Sequence, residues 1–362
     1  MVNLFLRALG MAFAMGWEIL WPLILGFTLS GVVQAVVSHR EMARLMPDDR
    51  LASIARALAL GSASSSCSYA AVAIARSLFR KGADFTAAMA FEMASTNLVI
   101  ELSLIMLLFL GWQITMAEFI GAPIMVAFLV VLFRIFLNRH LLDEAKLQAD
   151  KGIPGRMEGH ADMDMSVSEG GTLWQRITSK QGLTAISHYF VMDWASVWMD
   201  IVGGLLMAGA LAAWVPGELW QSVFLLDHPP LAKIWGPLVG PLVAVIAFVC
   251  SVGNIPLAAV LWNGGISFGG VIAFIFADLV VLPILNIYRK YYGLKMAGFL
   301  FVTFYAAMAA AALVVELIFG TLGLVPAQRN ARVVEASITW NYILLGSTLL
   351  SWFWPRCWSG DS

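Results

Sequence analysis

Two thiols and a handful of buried-looking carboxylates are the residues in this chain that could do chemistry. Cys67 closes a run of serines, GSASSSCSYA (Gly61–Ala70), and Cys250 directly precedes Ser251 in a second apolar stretch, with Asn254 close behind. Thiolates are soft donors, which soft metal and metalloid centres prefer to oxygen ligands. If the two stretches face each other, Cys67 and Cys250 could hold such a centre between two sulfurs. Ser66, Ser68, Ser251 and Asn254 would then hydrogen-bond an oxygen on the same solute. The plainer role of a free cysteine is that of a small buried hydrophobe. The carboxylates of interest are Asp278, Glu92, Asp193 and Asp200, with Glu18, Glu101 and Glu316 behind them, because all fall within apolar runs. An ionisable group inside a membrane span costs roughly 2.5–3.5 kcal/mol on insertion scales, so each one needs a reason. Proton coupling is one reason, and a hydrogen-bonded acid that joins helices is the other. Asp193 and Asp200 share a helix face with Ser196, and Glu92, Ser95 and Thr96 form one stripe.

Apolar elements must position these groups. The chain is 60% hydrophobic and 12% charged, with a mean hydropathy of +0.82, far from the balance of a soluble domain. An all-α integral membrane protein is expected. Runs long enough to cross a bilayer lie at 11–37, 84–110, 114–133, 185–214, 268–288, 296–320 and 336–354, which makes about seven transmembrane helices. Ala12-Phe13-Ala14 resembles a signal-peptide cleavage site, but the apolar run continues through it, so an uncleaved first span is expected. Two further stretches, 51–75 and 234–262, are interrupted, the first by its serines and the second by Pro237, Pro241, Gly253, Asn254 and Pro256. Each is expected to be either a broken crossing or a re-entrant hairpin.

Basic residues accumulate on the cytoplasmic side of membranes and can arbitrate. With both stretches re-entrant, the 22 basic residues divide 18 to 4; with both crossing, 13 to 9; with only the first re-entrant, 16 to 6. The re-entrant arrangement is favoured. It places the polar segment 139–181 in the cytoplasm.

A shift of 183 residues lays one odd stretch on the other, with Cys67 on Cys250 and Ser68 on Ser251. Nine of the 31 positions 67–97 are then identical without a gap, including a shared Gly-x-x-Phe at Gly82–Phe85 and Gly265–Phe268. The same shift lays Asp278 on Ser95. Three crossings per unit would turn the second unit upside down, giving an inverted repeat. Secondary transporters are built this way, with the solute site where broken helices meet. The serines would supply partners for the backbone groups of a hairpin tip inside the membrane. The expected organisation is a first repeat at 1–138, the polar segment at 139–181, a second repeat at 182–320 and an extra span within 321–362.

CSYAAVAIARSLFRKG (Cys67–Gly82), the following AAMAFEMAS, SHYFVMDW at 187–194 and the long GNIPLAAVLWNGGISFGGVIAFIFADLVVLPILNIYRKYYG resemble the predicted-permease family that includes the ArsP-type organoarsenical efflux permeases. The likeness runs over most of the chain. It implies a multi-pass permease of the bacterial inner membrane and, for some members, export of trivalent organoarsenicals. The match is imperfect at the first hairpin, where Tyr69, Ala70 and Ala73 stand in place of a second cysteine, a glycine and a proline.

Other classes find less support. A net charge of −1 argues against a nucleic-acid partner, and no Walker-type loop suggests nucleotide use. No cofactor or metal site is expected. Three scattered cysteines make neither a disulfide framework nor a zinc site, and Cys357 is read as structural. His160, Met163 and Met165 fall in a polar segment that reads as solvated linker. A membrane enzyme with Cys67 as nucleophile and His188 or an acid as base is the rival from another class, but no histidine lies near a cysteine in sequence. A non-catalytic membrane subunit is a third, although a scaffold has no need of two broken hairpins. Expected partners are the lipid bilayer, a small-molecule substrate and, in a homo-oligomer, further copies of the chain.

Overall fold

A computed structural model describes residues 2–36, 43–64, 68–150, 173–214, 223–225, 228–247, 251–329 and 331. All regular structure among them is helical: α1 (Val2–Val36), α2 (Leu51–Ser64), α3 (Ser68–Arg80), α4 (Phe85–Asn97), α5 (Ile100–Phe109), α6 (Trp112–Phe136) and α7 (Arg139–Asp150). Then follow α8 (Leu173–Thr178), α9 (Lys180–Trp214), α10 (Pro229–Ala247), α11 (Ser251–Gly264), α12 (Phe268–Phe276), α13 (Leu282–Tyr292) and α14 (Leu294–Thr321). Among the described residues, α6, α14 and Pro230–Ala247 of α10 are long and apolar enough to cross a membrane, and the pairs α4–α5 and α12–α13 add two more if each is one span. At a rise of 1.5 Å per residue, the 35-residue α1 and α9 are each about 50 Å long. The run at 336–354 and Cys357 lie outside the described residues.

Two expectations need correction. The runs 84–110 and 268–288 do not form continuous helices: α4 and α5 meet at a bend of 42°, and α12, with its 3-10 turn Ala277–Leu279, meets α13 at 41°. In the first, Ser95 Oγ and Asn97 Nδ2 donate to the carbonyls of Glu92 and Met93, competing for the groups that would continue the helix. In the second, the Val281 cap is extended (φ −66°, ψ 149°), and Pro283, the second residue of α13, lacks the N–H that a continuing helix would need. The prolines of the second stretch, conversely, break nothing. α10 runs through Pro237 and Pro241, and α11 runs through Gly253, Asn254 and Pro256. A neighbouring helix helps: the Tyr305 hydroxyl donates to the Leu238 carbonyl one turn before Pro241.

The Gly-x-x-Phe motif is a turn with a cap. Gly82 has φ +104° and Gly265 φ +110°, a region that glycine enters freely. Two residues on, Asp84 accepts from the amides of Thr86 (2.8 Å) and Ala87 (3.2 Å), and Ser267 accepts from Gly270 (3.1 Å). The phenylalanine then opens a fully buried helix, α4 or α12.

Hydrogen bonds show which ends lie together. The amide of Asp84, after α3, donates to the carbonyl of Met46, before α2, at 2.8 Å, so the segment 47–83 returns to where it began. Arg134 pairs with Asp49 at 2.7 Å, Arg76 reaches the Ala149 carbonyl at 2.7 Å, and Lys295 pairs with Glu144 at 3.1 Å. The start of α2, the ends of α3 and α6, α7 and the start of α14 therefore gather at one end. At the other, Gly269 donates to Glu316 (2.5 Å) and Arg329 to the Ile266 carbonyl (2.9 Å), joining the end of α11 to that of α14. Gly236 of α10 lies against Ser267 and Gly270, so the second interrupted stretch also ends beside its first turns.

Helix pairing follows the shift of 183. α2 packs on α4 as α10 packs on α12, α3 touches α13 as α11 touches α5, α1 packs with α9, and α6 packs with α14. The close pairs rest on small residues: Gly61 sits over Phe91, Ala94 and Ser95, and Gly240 over Gly270, Ala273 and Phe274.

Candidate functional site

Ser68 is the first residue of α3 and Asp278 lies in the 3-10 turn between α12 and α13. Both are wholly buried, and the Ser68 hydroxyl donates to Asp278 Oδ2 at 2.8 Å across 210 residues of sequence. The start of α3 thus meets the break between α12 and α13. Thr96, at the break in the first half, lies beside the same carboxyl.

Around this contact gathers a set of buried polar groups. Glu92 of α4 is fully buried and accepts from the Tyr288 hydroxyl of α13. Glu118 of α6 is 1% exposed, and the charge of Asp278 acts on it as it does on Glu92. Several polar atoms here have no hydrogen-bond partner among the described residues: Glu92 Oε2, Asp278 Oδ1, both oxygens of Glu118 and the Tyr292 hydroxyl. Native proteins leave few such atoms, and each calls for an explanation. A carboxylate buried without a cation or a proton costs several kcal/mol by rough reckoning, so this cluster requires something to balance its charge.

Of the residues singled out from sequence, Ser68, Asp278 and Glu92 come together. Ser251 and Asn254 lie buried on the first turn of α11, and neither amide atom of Asn254 has a partner among the described residues. Ser66, Cys67 and Cys250 lie outside the described residues, as do the side chains of Asp193, Asp200, Ser196, Tyr69 and Glu18. Glu101 is buried on α5, and Glu316 accepts from Gly269 at the far end. Sequence reading missed Glu118, although an acid within the run 114–133 was itself a signal. It also missed Tyr288 and Tyr292, hidden in the basic, aromatic segment IYRKYYG. Among the described residues, no three His, Cys, Asp or Glu side chains come close enough to hold a metal ion.

A helical membrane protein with a polar, acid-bearing site at its broken segments is a class that includes permeases. Comparison with known proteins places it further: residues 4–317 match the ArsP_1 family, described as "Predicted permease", and the chain belongs to that family. It is 60% identical over 307 residues, 85% of this chain and 76% of the other, to a Mycobacterium tuberculosis protein named "Putative permease Rv2963". No solved structure matches the chain.

Proposed function

We propose that this chain is a secondary-active permease of the bacterial inner membrane that exports a small thiophilic solute of the trivalent organoarsenical type. The observation that carries the reading is the Ser68–Asp278 hydrogen bond, which joins a hairpin tip to the break of the opposite half deep inside the bundle. Irregular backbone at membrane depth is tolerated where it is enclosed by protein or lines a cavity, and this is where transporters bind solutes.

Other contacts support the topology of this reading. The Met46–Asp84 bond supports a first hairpin that enters and leaves at one face, and the approach of Gly236 to Ser267 supports a second from the opposite face. α6 runs from the Gly111 end to Arg134, and α14 runs back from Lys295 to Glu316, as an inverted repeat requires. Arg50, Arg80, Lys81, Arg134, Lys290 and Lys295 all fall at the end we take as cytoplasmic. On this reading the chain crosses seven times, the last within 336–354.

Cys67 and Cys250 precede Ser68 and Ser251 and are our soft ligands; Ser66, Ser68, Ser251 and Asn254 hydrogen-bond the solute's oxygen. Asp278, Glu92, Asp193 and Asp200 are the titratable groups available for coupling. A thiolate prefers a soft centre and a serine oxygen does not. Cells expressing Cys67→Ser or Cys250→Ser should therefore lose most of the resistance to methylarsenite, a trivalent methylated arsenical, that the unaltered protein confers, while Cys357→Ser should keep it. Full resistance in the double variant would overturn the thiophilic reading. Export of an oxygen- or sulfur-containing solute with structural cysteines would take its place.

A further inference from the structure

Resting on the permease reading above, we infer that the coupling ion is the proton and that Glu118 is a proton-carrying residue, the third in a line Glu118–Asp278–Glu92 that runs from one face of the bundle towards the other. The family's description as a permease assigns Glu118 no role.

Depth along the helices orders the three acids. Glu118 is six residues into α6 from Trp112, about 9 Å from the end where α5 and α6 meet. Asp278 lies eleven residues beyond Ser267, about 16 Å from that same end. Glu92 is eight residues from Asp84, about 12 Å in from the opposite face. With α6 itself about 37 Å long, Glu92 stands about 25 Å from the first face. The acids thus descend in steps of roughly 7–9 Å, with Asp278 in the middle. The electrostatics agree with this order: the charge of Asp278 acts on both Glu118 and Glu92.

The hydrogen bonding suits a carrier of protons better than a metal ion. Three carboxylates that bound one cation would converge on a point, and among the described residues they do not. Each must be neutralised where it stands. Ser68 holds one oxygen of Asp278 and Tyr288 one oxygen of Glu92, leaving Asp278 Oδ1 and Glu92 Oε2 without partners among the described residues; Glu118 has both oxygens so placed. An independent group points the same way. The Tyr292 hydroxyl, 2% exposed and likewise without a partner among the described residues, lies within reach of the charge of Glu92. It continues the line towards the end where Arg76 stacks on the Tyr291 ring at 4.3 Å. At each step a carboxylic O–H gives its proton to a chain of hydroxyls or waters, whose far end gives a proton to a lone pair on the next carboxylate. The giver becomes the anion and the receiver becomes neutral; no electrons move.

Other groups near Glu118 do not explain it. The helices packed against α6 carry Glu92 (α4), Glu101 (α5), Asp278 (after α12), and Lys295, Tyr305 and Glu316 (α14), and of these the charge of Asp278 is the one that acts on Glu118. Asp278 in turn faces Ser68 of α3, Glu92, Glu118 and Tyr288, with Lys233 on the packed α10 far along that helix.

The test uses full-length protein in liposomes with methylarsenite as the probe, driven by a pH gradient in one arm and a sodium gradient in the other. Wild type should move the probe with the pH gradient and not with sodium. Glu118→Gln should lower pH-driven net transport at least tenfold while retaining, within about twofold, exchange of labelled for unlabelled probe at equal pH. Glu144→Gln, on an exposed helix, serves as control. Unchanged pH-driven transport in Glu118→Gln, sodium-driven transport in wild type, or parallel loss of exchange and net transport would each overturn the inference. Infrared spectroscopy of the purified protein supplies a readout that needs no solute. Glu118→Gln should remove part of the deuterium-sensitive protonated-carboxyl band; an unchanged band over the whole pH range refutes Glu118 as a carrier. Loss of that part of the band with no probe transported supports the carrier and refutes the solute assignment. Should Glu118→Gln not fold, Glu118→Asp must retain the band and show intermediate coupled rates, and failure to do so overturns the inference.

Discussion

Gly61 offers a sharp test of the packing that holds the hairpin tip. It lies on α2, three residues before the helix ends, and faces α4 so closely that a Cβ there would meet the Phe91 carbonyl oxygen at 2.5 Å and the Ala94 Cβ at 2.8 Å. Ordinary van der Waals contact begins near 3.4 Å, so Gly61→Ala must drive α2 off α4 by about 0.9 Å. The obstacle is main chain, which cannot rotate away as a long side chain would. Overpacking of this kind costs about 1–3 kcal/mol. Gly203→Ala provides the reference, since among the described residues no atom lies within 4 Å of the methyl added at Gly203 in α9, and a helical alanine gains about 0.5–1 kcal/mol over glycine. Gly61 is helical too and gains the same term, so the two alanines should differ by the overpacking cost, about 1–3 kcal/mol, with Gly61→Ala the less stable, read as thermal or denaturant unfolding of the purified protein in detergent. Because Ser68 begins just past the displaced end of α2, Gly61→Ala should also reduce transport beyond its loss of folded protein. A Gly61→Ala protein as stable as Gly203→Ala, or one with full transport per folded molecule, would refute the close α2–α4 approach.

The remaining predictions are simpler. Asp84→Ala removes the cap from two amides of α4 and should destabilise by about 0.5–2 kcal/mol, whereas Asp84→Asn or Asp84→Ser should recover most of that, by the same unfolding measurement. Cysteines introduced at Arg56 and Lys81 should label from one side of the membrane, and one at Gln328 from the other; labelling of Arg56 and Lys81 from opposite sides would end the hairpin topology. Asp278→Asn should fold and lose pH-driven transport, and an unchanged rate and pH profile would leave Asp278 as a link between helices. The exposed Lys295–Glu144 pair should matter little, with Glu144→Gln within about 1 kcal/mol of wild type.

The class, the two odd stretches and their relation by 183 residues were all readable, because each leaves a mark in residue types: apolar runs, serines in grease, a cysteine matched to a cysteine. Gly82 and Gly265 were legible as a motif, and the structure supplies the cause in their positive φ and the caps two residues on. The bends after Asn97 and before Leu282 were not legible. The run 84–110 carries Ser95, Thr96 and Asn97 at its middle, but that Ser95 and Asn97 turn back onto backbone carbonyls there shows only in the structure. The prolines misled in the other direction, since a membrane helix keeps its course across a proline when a neighbour such as Tyr305 satisfies nearby backbone. For the site, the rule that an acid inside a span needs a reason found Glu92 and Asp278. Glu118, inside the run 114–133, meets the same rule but was not singled out.

What the shift of 183 does not repeat is as informative as what it does. Helix order, turn glycines, caps and close pairings recur in both halves. The polar groups of the site do not: the counterparts of Glu92, Glu118, Tyr288 and Tyr292 are Ile275, Phe301, Ile105 and Phe109, and that of Asp278 is Ser95. A site with two identical halves would meet a solute and a proton alike from either face. Here the first half contributes Glu92 and Glu118, the second contributes Asp278 and the tyrosines, and each bond across the site, Ser68 to Asp278 and Tyr288 to Glu92, joins one half to the other. If transport moves one half against the other, as the proposed function would have it, that movement must strain or break these bonds. A change in the protonation of Asp278 or Glu92 changes what the hydroxyls bind to. In that way the same few atoms would link charge at the centre of the bundle to the relative position of its halves.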